Sequence, residues 1–597
     1  MFLVTTPLPE YQDPADDLLY LGAWCLPGTE RQKIRRKKEC RVLPFLWKEP
    51  ATRRSAYRFC NDFYEKVIPA LAELLNGIHE TNLSLRYWKI IAGPWLLFYT
   101  HVLYDRYRCV DWAFKEYPDL RTAGIPPASF WTPYDWHQYT TGVTNDYYNL
   151  QLYCQVMDGL GIFYETWDDT SWRKGLERSM DASYYLAFQS KVPTWKQVLH
   201  KGGARLFTGK NRRVVVSSLF NNYINHYRLS AVSGFRVGIL PRADRDLAEI
   251  KRVNKPALDR RRALETLGVA CTDEMFARVF VRSLVHNFPT CYLEDFKRRR
   301  QIACRGYGTI KVLASAYGWI SDENFKFVAA EAAERKACLI GSQHGGNNGI
   351  ERDILFEKHI TDVVDKYYTY GGWGATGTIF SHAIAGTALE FNPHYTNQKR
   401  DVAASEQLLF VGTSSPRYLT QFRSGIYYSQ FRDYQQWQIR FLESLPQEIR
   451  QNFLFRLRDS VWGSVGILSQ NFKGLKFDDY AVSFERRVLE SRVVVIDNLN
   501  TTFTQTLLMN RPVILYFDPR YTDIYEAAHP VLDNLQQAGI LHHSPESAAR
   551  KLATIIEFPD EWWSSAVTQG ARHKFIDLFA VAPGTENWLG QWCSLLT

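Results

Sequence analysis

The apolar positions of this chain change their period several times along its length, and each change marks an element. Three short apolar runs open it, at 2–5, 18–22 and 42–45, bounded by polar or turn-forming residues. They predict the first strands of an α/β domain, and the loop after the second carries Trp24 and Cys25. Over 55–75 and 83–107 apolar residues recur instead at three- and four-residue steps, the period of a buried helix face, and 147–160 repeats the pattern. A helical insertion around 50–200 follows from this. Strand-like runs return at 214–217 and 236–240, before helical spacing over 257–267 and 272–285.

From 309 the alternation is regular. A strand at 310–315 precedes a helix at 322–335 with Ser321 as its N-cap, then come a strand at 337–341, a helix near 352–359 and a strand at 366–370. Residues 392–404 are polar and aperiodic, as expected of a connection between domains. Afterwards the pattern restarts: strand 408–412, helix 434–445, strands 453–457 and 493–496, a helix from about 502, and strand 513–517. Short, wholly apolar strands alternating with helices predict parallel sheets covered on both faces. With 597 residues, too many for a single core, the expected class is α/β. It comprises a Rossmann-like domain over 1–390 with the helical insertion, a second over 400–560, and a helical segment over 561–597.

Candidate chemistry sits where the strands stop. Lys336-Ala-Cys-Leu-Ile-Gly-Ser-Gln-His-Gly-Gly346 and Val493-Val-Val-Ile-Asp-Asn-Leu-Asn-Thr-Thr-Phe503 each run from a buried strand into small and polar residues. Open α/β sheets take their ligands at such carboxyl ends. Two of them in separate halves suggest two domains facing a groove, a GT-B-like layout. His344, followed by two glycines that allow close backbone approach, is placed to act as a general base or to stabilise a leaving phosphate. Gln343, Gly345, Gly346 and Asn347 line the same turn as substrate-binding candidates. A purely structural histidine is the alternative.

In the second half, Asn498, Asn500, Thr501 and Thr502 open a helix whose first amides point at any anion placed there. An ordinary capped helix is the plain alternative. Ser414, Ser415 and Arg417 form the turn after the 408–412 strand, and Arg456 and Arg458 end the next one. Their planar forks suit a carboxylate or phosphate, although surface exposure is the commoner fate of an arginine. For acid–base or nucleophilic work the candidates are Glu351, Asp273 and Glu294, with Asp353, Glu274 and Asp295 beside them. No spacing selects one.

Charge and cysteines narrow the classes. An excess of 72 basic over 63 acidic residues leaves +9, gathered in patches at 31–41, 260–262 and 297–300. Such patches suit nucleic acid, anionic surfaces or phosphorylated substrates, or are plain solvated faces. No nucleic-acid motif with interleaved stacking aromatics accompanies them. A non-enzymatic glycan- or nucleic-acid-binding protein is therefore the rival class, with no nucleic-acid partner expected. Ten cysteines without CxxC pairs or zinc spacing predict free thiols in a reducing cytosol and no metal site. The start lacks the features of a secretion signal, and the apolar stretch 90–104 is short for a bilayer span. A cytoplasmic protein is expected, with peripheral contact with an inner membrane as the lesser option.

The chain also resembles a transferase family of about this length associated with bacterial surface-polysaccharide loci. The resemblance rests on Val4-Thr5-Thr6, Leu21-Gly22-Ala23-Trp24-Cys25, Ser84-Leu85-Arg86-Tyr87-Trp88, Gln343 to Gly346 and Asn498 to Thr502. It departs after Arg458, where a histidine-containing or tyrosine–proline turn is replaced by Asp459-Ser460. More distantly the chain is similar to GT-B enzymes with cytidine-nucleotide donors, the ulosonic-acid capsule transferases and the CDP-glycerol glycerophosphotransferases. The resemblance implies a donor site in the C-terminal half and an acceptor site in the N-terminal half. The donor would be a nucleotide-sugar, a CMP-linked ulosonic acid first and a CDP-polyol second. The acceptor would be a glycan or a lipid-linked glycan. No tightly bound cofactor or metal is implied, because helix amides and basic side chains can neutralise a leaving phosphate.

Overall fold

The computed structural model describes residues 1–26, 41–188, 207–220, 223–240, 256–269, 271–376, 383–386, 406–458, 463–581 and 587–597. The expected connection at 392–404, the basic residues at 31–38 and Asp459-Ser460 lie outside the described residues.

Two parallel six-stranded sheets carry the architecture. The chain first forms β1 (Phe2–Val4), β2 (Leu18–Tyr20) and β3 (Arg41–Val42), then β4 (Ala123–Gly124) and β5 (Glu165–Thr166). The strands β6 (Val214–Val216), β7 (Val237–Ile239), β8 (Val312–Ser315), β9 (Cys338–Ser342), β10 (Lys366–Tyr370) and β11 (Ala383–Gly386) form one sheet in the order β11-β10-β9-β8-β6-β7. The other holds β12 (Leu408–Val411), β13 (Phe453–Arg456), β14 (Lys476–Phe477), β15 (Val493–Ile496), β16 (Val513–Tyr516) and β17 (Leu541–His542), in the order β14-β13-β12-β15-β16-β17. In both, the chain starts on an inner strand, runs to one edge and returns on the other side. The direction of winding therefore reverses between β6 and β8, and between β12 and β15.

Burial explains the strand sequences. All four residues of β12, β15 and β16 are buried, as helices cover both faces. Val411 pairs with Arg456 on one side and Ile496 on the other, so the carboxyl ends of β12, β13 and β15 lie level.

The helical insertion is built on two long helices, Pro50–His79 and Leu85–Glu116, joined by a turn in which Glu80 takes the left-handed conformation (φ 56°). Ser84 caps the second by accepting the Tyr87 N–H, satisfying one of the amides a helix start leaves open. The stretch 90–104 is buried throughout. Its surface is covered by the 50–79, 146–160 and 323–334 helices.

Two expectations change. The opening strands do not extend the first large sheet; β1, β2 and β3 pair with one another in a separate three-stranded sheet. At two or three residues each, their apolar runs are compatible with either arrangement, and only tertiary packing decides. The Glu323–Glu334 helix is capped by Asp322, whose carboxylate accepts the Phe325 N–H at 3.0 Å. Ser321 instead ends a short preceding helix, Gly318–Ser321. At the far end of the chain, Trp592 and Leu596 of the Trp588–Leu596 helix pack with Val216, Ile340 and Tyr368 of the first sheet.

Candidate active site

The turn after β9 is held from within. Gln343 is fully buried; its Oε1 accepts from the Tyr370 N–H at 2.8 Å and Trp373 Nε1 at 3.0 Å, and its Nε2 donates to the Gly345 carbonyl at 2.7 Å. With both ends of its amide engaged, Gln343 braces the turn from within. Gly345 sits at φ +112°, in the region that favours glycine. The half-buried His344 ring lies 4.5 Å from the Tyr317 ring, tilted 42° to it.

That turn meets the start of the Thr501–Leu508 helix. The Gly346 N–H donates to Thr501 Oγ1 at 2.9 Å, and Thr504 Oγ1 donates back to the Gly346 carbonyl at 3.0 Å. A Cβ on Gly346 would fall 2.8 Å from Thr504 Cβ and 3.0 Å from Thr501 Cα, so the approach requires glycine. Asn500 caps the helix: its Oδ1 accepts from the Thr502 N–H at 3.0 Å and from the Thr502 hydroxyl, while its Nδ2 donates to Asn498 Oδ1. The two strand-end turns singled out in the sequence are thus joined by direct hydrogen bonds.

Beside this junction lies Glu351. Its carboxylate accepts from Asn347 Nδ2 at 2.9 Å. The residue keeps partial exposure, yet its carboxyl group is desolvated, which pushes its pKa up to about 7 against the pull of the Asn347 bond and the Arg423 guanidinium. The covering segment belongs to the second half: Glu351 bridges to Ile524, the Arg352 N–H donates to the Asp523 carbonyl at 2.9 Å, and the Tyr525 N–H to the Ile350 carbonyl at 2.9 Å. Asp353, with φ 64°, is pushed up to about 6 by burial and by Asp523.

The other two carboxylate candidates are engaged by neighbouring side chains and backbone. Asp273 caps the Glu274–Asn287 helix by accepting the Phe276 N–H at 2.9 Å and also takes the Tyr107 hydroxyl at 3.0 Å. Glu294 spends both oxygens on the buried Arg261, at 2.6 and 2.7 Å, and accepts the Ala257 N–H at 3.0 Å. Neither belongs to the segments that build the junction.

The basic candidates divide in the same way. Arg417 pairs with Asp146 at 3.1 Å, beside the Tyr418 hydroxyl on the same carboxylate. Arg456 pairs with Asp478, donates to the Val482 carbonyl at 3.1 Å and stacks 4.2 Å over Tyr480. Their charge is largely spent on neighbours. Arg458 is exposed, and Arg423, which the sequence reading passed over, is exposed near Glu351. Ser415 donates to the Ile426 carbonyl at 2.7 Å, and Ser414 is half-buried in the same loop. Arg417, Arg423 and Ser415 share a cleft with Trp24 and Phe45, and Asp105 and Arg106 lie at its base.

A second group was missed outright. Asp497, directly after β15, is buried and accepts from Tyr434 Oη at 2.6 Å, Gln438 Nε2 at 2.7 Å and Asn498 Nδ2 at 2.7 Å. Desolvation pushes it up to about 6 despite these bonds. An acidic residue ending a fully apolar strand was the available signal, but its partners Tyr434 and Gln438 stand 63 and 59 positions earlier. Among the described residues no group of three or more histidine, cysteine or acidic side chains is placed to hold a metal ion.

Comparison with known proteins bears on the whole chain. The family model described as LIC12162 family transferase matches residues 1–596. No curated protein matches. Among solved structures, a variant of the Thermobaculum terrenum O-GlcNAc transferase is 13% identical over 92% of this chain and 99% of its own, with a TM-score of 0.32. A wall teichoic acid polymerase, TagF, is 10% identical over 72% of this chain and 98% of its own, with a TM-score of 0.33. A glycosyltransferase from Rickettsia africae ESF-5 is 10% identical over 65% and 98%, with a TM-score of 0.35. At these identities and scores the likenesses identify neither donor nor acceptor.

Proposed function

We propose that this chain, which belongs to the LIC12162 family of transferases, is a glycosyltransferase that moves a sugar from a nucleotide-activated donor to a glycan or lipid-linked acceptor. The donor would lie on the carboxyl edge of the second sheet and the acceptor would enter from the first. The observation that carries this is the pair of hydrogen bonds joining Gly346 to Thr501 and Thr504. They set His344 and Glu351, from one sheet, against a helix start from the other.

In this reading Glu351 takes the proton of the acceptor hydroxyl. A carboxyl group desolvated to a pKa of about 7 is near the optimum for a base at neutral pH. The acceptor oxygen forms a bond to the anomeric carbon as the bond from that carbon to the donor phosphate oxygen breaks, and the nucleotide departs with the electron pair. His344, the positive end of the Thr501–Leu508 helix and the Thr501 hydroxyl, whose proton is not used in accepting the Gly346 N–H, meet the charge developing on the phosphate.

A CMP-linked ulosonic acid is the favoured donor. One helix start with few uncommitted donors suits a single phosphate, and Arg423 suits a sugar carboxylate. A CDP-linked polyol phosphate is the second reading, favoured by the exposed Arg458 at the adjacent strand end. Among the described residues no helix is long and apolar enough to cross a membrane, and a lipid-linked acceptor would therefore be met at a membrane surface. The test is nucleotide release from CMP-ulosonic acid, CDP-glycerol and UDP-sugar donors, with and without glycan acceptors. Release is expected from a cytidine donor, falling about a hundredfold or more in His344→Ala with nucleotide affinity retained. Full turnover in His344→Ala would remove His344 from the chemistry.

A further inference from the structure

The strands of the first sheet start from a row of cations. Arg213, Arg236 and Lys311 stand directly before β6, β7 and β8, and Lys336 stands two positions before β9. Val214 is level with Val237 on one side and Val312 on the other, and Val312 with Cys338. The four basic residues therefore lie side by side at the amino edge of adjacent strands, in a row roughly 15 Å long at the usual strand spacing. Lys210 and Arg305 flank the row, brought together where the Asn211 N–H donates to the Gly306 carbonyl at 2.7 Å. All of these cations are exposed, and among the described residues none of them has an ion-pair partner. The carboxylates near this edge are engaged elsewhere: Asp365 pairs with Arg86 at 3.0 Å and accepts the Leu339 N–H at 2.7 Å, and Glu334 accepts the Ser84 N–H at 3.1 Å.

Apolar side chains are exposed among these charges. Val232, which ends the Ile224–Val232 helix, is 59% exposed, Phe235 is 38% exposed and Ile302 is 41% exposed. Phe235 stands directly before Arg236, and Ile302 three positions before Arg305. The backbone that presents Phe235 is strained. Gly234 and Phe235 both take the left-handed conformation, at φ 61°, which glycine adopts freely and a bulky side chain rarely does. Its ring lies 5.5 Å from that of Phe207 and is otherwise open to solvent. An exposed aromatic held in an unfavourable conformation points to a contact made outside the chain.

We propose that this amino edge of the first sheet is the face by which the protein lies on an anionic lipid bilayer. The proposal goes beyond the transferase reading and does not depend on it. The combination of side chains decides the partner. A polyanion in solution is attracted by the cations but gains little from Val232, Phe235 and Ile302. A bilayer places anionic headgroups over hydrocarbon and engages both kinds of side chain. Each lysine or arginine held near an anionic leaflet strengthens the association about fivefold, provided it lies within a Debye length of the surface. The face lies where the strands begin, and the His344 turn follows β9 at their other end. A protein lying on lipid in this way keeps the junction of Gly346 with Thr501 turned to the aqueous side.

The experiment is flotation of the full chain with vesicles of phosphatidylcholine alone or mixed with phosphatidylglycerol, over a salt series. Binding to single-stranded DNA and to a dissolved acidic polysaccharide is measured beside it. Both are repeated on Arg213→Gln/Arg236→Gln/Lys311→Gln and on Val232→Ser/Phe235→Asn, with thermal unfolding of each protein. Asparagine tolerates the left-handed position and the other sites are exposed, so both variants are expected to fold. The expected result is binding to the mixed vesicles about tenfold or more tighter than to phosphatidylcholine, weakening as salt rises. The charge variant should lose about tenfold or more, and the apolar variant about fivefold or more. No binding to the mixed vesicles would overturn the proposal, as would vesicle binding unchanged in either folded variant. DNA or polysaccharide bound more tightly than the mixed vesicles, with no loss in the apolar variant, would overturn it in favour of a soluble polyanion. Each of these failures leaves the transferase reading standing, because none of the altered residues belongs to the junction.

Discussion

Gly346 and Thr501, 155 positions apart, are joined by a 2.9 Å hydrogen bond from the glycine N–H to the threonine hydroxyl. This bond brings the turn after β9 of the first sheet against the helix that follows β15 of the second. Gly346→Ala would place its Cβ 2.8 Å from Thr504 Cβ and 3.0 Å from the Thr501 backbone, and a helix start cannot yield as a flexible side chain would. The expected outcome is a stability loss of about 1–3 kcal/mol, typical of overpacking, and a fall in turnover of roughly tenfold or more as the groups separate. Denaturant unfolding and single-turnover kinetics on the same preparation check both.

In the proposed mechanism Glu351 gives the rate its pH dependence. As a base it must be ionised, and with burial raising its pKa to about 7, turnover should climb as pH rises through that value and then level off. Glu351→Gln keeps the Asn347 contact but cannot accept a proton. It should lose about a hundredfold or more in rate, together with the rising limb of the profile. A Gln variant with the parent's pH–rate curve would exclude this role.

Glu357 gives stability a pH dependence of its own. It is 2% exposed, accepts from Asn348 Nδ2 at 2.9 Å and Tyr367 Oη at 3.2 Å, and burial pushes its pKa from 4.5 to about 7. Above pH 4.5 the unfolded chain sheds this proton while the folded chain keeps it to about 7. Stability therefore falls as pH rises between those values and changes no further above them. Glu357→Gln should remove this component, raising stability at pH 8 by on the order of 2–3 kcal/mol and changing it little at pH 4. Melting curves of both proteins from pH 4 to 8 measure it.

Arg106, 1% exposed, ties the helical insertion to the second half. It pairs with the buried Asp105, donates to Asn149 Oδ1 at 3.0 Å and reaches the Leu419 carbonyl at 3.0 Å. Arg106→Met strands the Asp105 charge beneath the cleft. The expected loss is about 3–5 kcal/mol, with Asp105→Asn/Arg106→Met recovering part of it. Equal losses in the single and double variants would show that the pairing is not the cause.

The strand-end turns were legible because local pattern alone marks them: a buried run, then glycine or asparagine, then helical spacing. Most of the β–α alternation was legible for the same reason. What each side chain does at the turns was not, since that depends on partners distant in sequence. Arg417 meets Asp146, Glu294 meets Arg261, and Gln343 meets Trp373; each is an ordinary polar residue until the fold supplies the other. Glu351 could not be told from Asp273 by spacing, because its raised pKa comes from burial beside 523–525, a segment of the other half. Asp497 escaped for a similar reason: Tyr434 and Gln438 lie on a helix three strands earlier, between β12 and β13.

The most direct measurement is titration of the full chain with CMP, CDP, UDP and GDP, followed by calorimetry and thermal shift, on the parent and on the Thr501→Val/Thr502→Val pair. The expected result is saturable binding of a cytidine nucleotide with a rise in melting temperature, weakened roughly tenfold or more in the double variant as the Thr501 hydroxyl donor and the Thr502–Asn500 part of the helix cap are lost. No response to any of the four nucleotides would contradict a donor site at the Asn-Thr-Thr turn. So would a cytidine nucleotide binding the double variant as tightly as the parent.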